Sequence, residues 1–401
     1  MVRVDGHATW ANGAALQAAG ITRDTPDPAG GRIGRDDRGE PDGLLVDTAQ
    51  DLVRRAMPPE NPERFEAAVR EAIATCLAVG LTGLHEMGVD LGMVAAYRRL
   101  VEQDRFPFRN HAAVWRASGA AWAHYRERGP ETVGDGRLRI GAVKLMADGA
   151  LGSRGAALHA PYCDDPDNRG LLLLDRQTVE AQAREALQAG FQVCVHAIGD
   201  RANTLVLDAF EAVLRSEPRP ALPLRVEHAQ ILTGTDIGRF RALGVVPSMQ
   251  PTHCTSDMPW APAPAGPERM GGAYAWRALL DTGVTIAGGS DFPVEDPNPF
   301  LGLYAAVARR PPPDPGRPGP AGPDPGWQPA QRMTRAEALR AFTTWPAAAI
   351  GQAETLGRLT PGAWADLLLL PDDPLTCEVD ALAGLRPDAV LLAGEVVHGA
   401  L

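Results

Sequence analysis

No apolar run in this chain approaches the ~18 residues of a membrane-crossing helix, so a membrane role is not expected. The chain also lacks a basic excess. Its 39 lysines and arginines face 50 aspartates and glutamates, a net charge of −11. A chain of that sign does not seek nucleic acid or anionic lipid. Its five cysteines, Cys76, Cys163, Cys194, Cys254 and Cys377, form no Cys-x-x-Cys pair, and their number is odd. A reducing compartment therefore fits better than a disulfide framework. Residues Met1 to Gly6 carry no apolar signal-peptide core, so the expected location is cytoplasmic. There is no GxSxG, no P-loop and no GxGxxG between a strand and a helix. Serine-hydrolase, nucleotide and Rossmann chemistry thus lose support. His-x-His is absent as well.

What is present is a chain of 401 residues, 45% hydrophobic, enough for one large domain and a small appendage. Residues 5–50 are rich in Gly, Pro and Asp and read as a long ordered loop or small subdomain. A helical period then runs over 62–79, with Phe65, Val69, Ile73 and Leu77 on one face and Gly80 as the stop. Strands are expected at 81–87, 110–116, 139–146, 191–197, 224–229, 244–249 and 284–289, with helices between most of them. Seven such strands imply a parallel sheet, either doubly wound or closed as a barrel. The Pro/Gly-rich stretch 311–329 reads as a surface loop, and Thr334 with Glu337 as a capping box. From 356 the pattern changes to short strands at 366–370, 389–392 and 395–397. The expected division is a barrel domain over 1–350 and a β appendage over 351–401.

Four strand ends carry residues able to hold a metal or move a proton. Asp291 follows the segment Thr285-Ile286-Ala287-Gly288-Gly289-Ser290 and precedes Pro293. A barrel presents catalytic carboxylates from such strand ends; capping of the next turn is the plainer reading. Lys144 sits in an otherwise apolar strand, so it must lose its charge, pair or be modified. Carbamylation would make it a ligand; an ion pair with Asp148 is the alternative. His196 and His228 each end an apolar strand and read as imidazole ligands or as satisfied core histidines. Glu227, next to His228, is expected on the opposite face, paired with a barrel helix. His253, His7 and His85 are candidates for the pocket wall. Convergence on one mouth favours the barrel over the doubly wound sheet.

The segments VKLMADGALGSRGAAL (143–158), PYCDDPDNRGLLL (161–173), VHAIGDRAN (195–203), VEHAQ (226–230), the long block 274–310 and GRLTPGAWADLLLLPDDP (357–374) together resemble the amidohydrolase superfamily. The likeness is greatest to its family-3 branch of YtcJ-like and N-substituted formamide deformylase-like proteins, and DGHATWANGAALQAAGI (5–21) shares in it. The resemblance implies a metal-dependent hydrolase-type (β/α)8 TIM barrel with a divalent metal, zinc by preference, at its mouth. It implies hydrolysis of a non-peptide carbon–nitrogen bond, amide or formamide, in a small-molecule substrate by a metal-activated water. Lys144, His196, His228 and Asp291 then carry over as ligands, with Asp291 the catalytic proton shuttle. Asp148, Ser153 and Arg154 carry over as residues lining the substrate pocket, beside His253 and His7. The C-terminal strands resemble half of a composite β-sandwich, and a homodimer is compatible with the sequence.

The departure from the family pattern is the His-x-His or His-x-Asp pair of a first barrel strand. Only seven barrel strands can be counted. The expectation is therefore a barrel lacking its first strand, through a start placed too far downstream, with weak metal binding in this form. The competing expectation is an inactive relative whose barrel binds a small molecule or a partner.

Overall fold

The structure is a computed structural model that describes residues 1–58, 61–313 and 325–401. The loop expected at 311–329 lies in large part outside them, at 314–324.

All seven expected strands form one curled parallel sheet. They are β4 (Gly83–Val89), β5 (Arg109–Trp115), β7 (Leu138–Met146), β8 (Gln192–Ala197), β9 (Arg225–His228), β10 (Val246–Met249) and β11 (Ala287–Gly288), while β6 (Glu131–Val133) pairs antiparallel with β7. The order is β11-β10-β9-β8-β7-β5-β4, so β4 and β11 are the two edges among the described residues. Residues 5–50 prove to be a subdomain. Its sheet joins β1 (Ala8–Trp10), β2 (Gly31–Arg35) and β3 (Pro41–Asp47) in the order β1-β3-β2. The C-terminal strands β12 (Leu367–Leu369), β13 (Ala389–Leu392) and β14 (Glu395–Gly399) form a third, antiparallel sheet.

Alternation along the strands sorts the sheet's two faces. Val114, Val143, Val193 and Val195 enter the main core, where they meet helices. Ala113, Ala142 and Cys194 point the other way and pack with Met87 inside the curl. The helix Pro62–Ala78 is capped by Asn61, whose Oδ1 accepts from Glu63 and Arg64, and it buries Ile73, Cys76 and Leu77. Thr334 and Glu337 form the expected capping box.

The curl also encloses charge. Arg225 is buried, pairs with Glu227 at 3.0 Å and donates to Ser248 Oγ at 3.0 Å. Its Nη1 meets His85 Nδ1 on β4 at 2.9 Å, across the interior, since β8, β7 and β5 separate the two strands. Glu227 therefore does not pair with a barrel helix. Residues 225 and 227 share a face, and that face is the interior. His85 likewise lies within the sheet's interior polar layer.

One buried ion pair fastens the C-terminal sheet to the barrel. Arg109 on β5 donates to Asp366 through Nε at 2.6 Å and Nη2 at 3.1 Å, and its guanidinium stacks over Trp364 at 4.5 Å. Asp366 also accepts from the Ala393 N–H at 2.9 Å. Removing one partner leaves the other charge buried alone. Asp366→Asn is expected to lower stability by about 3 kcal/mol in urea unfolding. Arg109→Met/Asp366→Leu together should cost less than that single change.

Candidate metal centre

The ends of β8, β9 and β11 and the helix Pro251–Asp257 bring three histidines and a carboxylate together. Ligand atoms of His228, His253 and Asp291 all lie within 4.8 Å of one another. The His196 and His228 rings stand 4.6 Å apart edge to face, and His228 stacks with His253 at 5.9 Å. Local backbone makes this convergence. His228 and Ala229 take left-handed φ values of 73° and 42°, and Asp291 takes 58°. L-residues adopt this region at a cost, and it breaks the strand alternation. Glu227 and His228 can thus both serve the interior and mouth.

Lys144 is buried on β7. Burial pulls its amine below the ordinary lysine range, while Glu227 and Asp291 pull it back up. It forms no ion pair with Asp148, whose carboxylate is otherwise engaged. Asp148 accepts from the N–H groups of Ala157 at 2.8 Å, Ile198 at 3.0 Å and Gly199 at 2.8 Å. Burial pushes its carboxyl up to about 7 against the opposing pull of those donors. It is wholly enclosed, so it supports the mouth from beneath and does not line a pocket.

The histidine tautomers follow from their partners. His228 Nδ1 meets Gln250 Oε1 at 2.9 Å, which places the proton on Nδ1 and leaves Nε2 free to ligate. His196 Nε2 faces Gly149 O at 3.3 Å and Asp148 Oδ1 at 3.4 Å, two acceptors, which leaves Nδ1 as its lone-pair atom. Burial first, then neighbouring histidines and Lys144, hold both rings well below the usual histidine range. Both are neutral near pH 7, the form that binds metal. Burial raises the Asp291 carboxyl, while His253 and Lys144 lower it. His253 Nε2 is buried without a hydrogen-bond partner among the described residues, 4.0 Å from Asp291 Oδ2.

His7 reaches the same mouth from the N-terminal subdomain, its ring 5.2 Å from that of His196. Its Nδ1 meets Asp47 Oδ1 at 2.6 Å. Ser153 and Arg154 do not join the cluster. Ser153 Oγ donates to Ala150 O at 3.1 Å, and Arg154 Nε donates to Asp164 at 3.1 Å, so both are spent within their own loop. Asp47 and Gln250 escaped the sequence reading. Gln250 directly follows a strand end, which was a usable signal; Asp47 had none.

Asp148→Asn replaces one acceptor oxygen by a donor that must face an N–H. It is expected to cost about 2 kcal/mol in urea unfolding, the penalty for one orphaned buried donor. Asp164→Asn, at an exposed pair, should change stability by less than about 1 kcal/mol.

The putative amidohydrolase YtcJ of Bacillus subtilis is 35% identical over 99% of this chain and 73% of its own length. The N-substituted formamide deformylase of Arthrobacter pascens is 30% identical over 95% of the chain and 69% of its own length. A crystal structure of an uncharacterized metal-dependent hydrolase from Pyrococcus furiosus superposes with a TM-score of 0.71 at 27% identity, covering 92% of this chain and 71% of that one. The profile described as "Amidohydrolase family" matches residues 1–398, and the chain belongs to that family.

Proposed function

We propose that the protein hydrolyses a non-peptide carbon–nitrogen bond, of amide or formamide type, in a small-molecule substrate, with a divalent cation, zinc by preference. The observation that carries this reading is the meeting of His228, His253 and Asp291 within 4.8 Å, with His196 packed against His228. The donor set fits such an ion. Neutral imidazoles and a carboxylate suit zinc. The unpartnered His253 Nε2, turned toward a carboxylate too distant for a hydrogen bond, fits a cation between them. The name of the Arthrobacter relative supports the amide class of substrate.

In this reading His196, His228 and Asp291 would hold the cation together with His253 Nε2, and Lys144 would join them as a carbamate. When bound, the cation supplies Lewis acidity toward a carbonyl and toward water. Gln250 and Asp148 keep the two histidine rings in their ligating tautomers. Asp291 accepts the proton that the attacking water gives up and returns it to the leaving nitrogen. Its left-handed backbone and its position beside His253 aim the carboxylate into the mouth. His7 contacts substrate, while Ser153 and Arg154 hold their own loop together. The unpaired state of all five cysteines supports a cytoplasmic setting.

The test loads purified protein with zinc and measures metal content and amide hydrolysis. The wild type is expected to hold the ion at saturating metal, lose activity on chelation and regain it with zinc. His228→Ala should lose the metal, and Asp291→Asn should lower kcat about 10²-fold or more. A wild type that takes up no divalent ion would overturn the reading. So would a metal-loaded protein inert toward a broad panel of amides.

A further inference from the structure

The N-terminal subdomain holds His7 more firmly than a loop side chain needs. Asp47 N–H donates to His7 O at 3.0 Å, and Asp47 Oδ1 meets the same residue's Nδ1 at 2.6 Å. The His7 N–H donates to Asp5 Oδ1 at 3.0 Å. Gln50 Nε2 donates to Gly6 O at 2.8 Å, and Thr9 Oγ1 donates to Gln50 Oε1 at 2.7 Å. Segment 5–9 is thereby fixed on both sides of the imidazole.

Asp47 is itself built in at a cost. Its φ is 49°, in the left-handed region, and its side chain is buried. Its Oδ2 has no hydrogen-bond partner among the described residues. That oxygen sits against two glycines of the loop after β7. A Cβ on Gly149 would fall 2.4 Å from it, and one on Gly155 2.5 Å. Only glycine backbone lets this carboxylate approach so closely. Strain, an orphaned oxygen and a glycine cradle converge on one purpose, the setting of the His7 ring.

From this geometry we infer that His7, with its tautomer set by Asp47, is the hydrogen-bond acceptor for the N–H of a secondary amide substrate. This rests on the hydrolase reading above. The 2.6 Å contact with Asp47 Oδ1 assigns the Nδ1 hydrogen to that bond, and in the tautomer so fixed Nε2 is the ring's lone-pair atom. No other hydrogen bond engages that nitrogen among the described residues. The ring stands 5.2 Å from that of His196, so it belongs to the mouth. An acceptor there distinguishes substrates that keep an N–H on the scissile nitrogen from those that have lost it. His7 is thus a substrate-positioning residue that selects secondary over tertiary amides.

Two measurements test this. In the first, zinc-loaded wild type and His7→Phe are compared on 4-nitroformanilide and its N-methyl derivative, with metal content read alongside. The preference for the N–H substrate should fall roughly tenfold in His7→Phe, the worth of one hydrogen bond, with zinc content unchanged. An undiminished preference would overturn the inference, and so would loss of zinc, which would make His7 a ligand. In the second, ¹⁵N NMR of histidine-labelled protein should show His7 protonated at Nδ1 and bare at Nε2, a pattern shifted in Asp47→Asn. A ring protonated at Nε2 would refute the tautomer argument whatever the activity. If zinc-loaded wild type cleaves neither anilide nor any other amide, the hydrolase reading falls and takes this inference with it. Failure of the inference alone leaves wild-type cleavage intact.

Discussion

Three backbone N–H groups, from Ala157, Ile198 and Gly199, close on the Asp148 carboxylate, and the mouth of the sheet is organised around that contact. It ties the loop after β7 to the turn after β8. It also stands 3.4 Å from His196 Nε2, so one buried carboxylate fixes two segments and one ring. The loop it anchors carries Gly149 and Gly155, which in turn admit Asp47 from the N-terminal subdomain. That anchor thus meets His196 directly and reaches His7 through the glycines that admit Asp47.

Below the mouth, the interior is layered. An apolar tier of Met87, Ala113, Ala142 and Cys194 coexists with the buried Arg225–Glu227 pair. Buried charge is tolerated only when it is matched, and here Ser248 and His85 complete the guanidinium's partners. Lys144 stands within reach of the same field. The neutrality of His196 and His228 follows from burial reinforced by cations and imidazoles nearby, so the environment that excludes water also keeps their lone pairs free.

Much of the architecture was legible because it depends on local pattern. The seven parallel strands are apolar runs bounded by turns, and the capping box needs only Thr334 and Glu337 three residues apart. The expected seventh strand, 284–289, is wider than the observed one: Ala287 and Gly288 pair in register with β10, and Gly289 adds one backbone hydrogen bond to Met249 O at 3.1 Å. The four proposed metal-binding positions could be named from strand ends, but not their partners. The His7–Asp47 contact joins residues 40 apart in a Gly-rich region and leaves no periodic trace. Glu227 was misplaced although its spacing from Arg225 already put the two side chains on one face. A charged pair inside a curled sheet defies the expectation that charge faces outward, and only the enclosure by neighbouring strands explains it.

The Arg225–His85 contact acts as a chord drawn across an arc. It joins β9 to β4, and so bears on the curvature of a sheet whose two edges do not meet among the described residues. Curvature sets how closely the tips of β8, β9 and β11 crowd together. A contact at the floor of the bowl therefore bears on the spacing of groups at its rim, from residues that lie outside the His228–His253–Asp291 cluster.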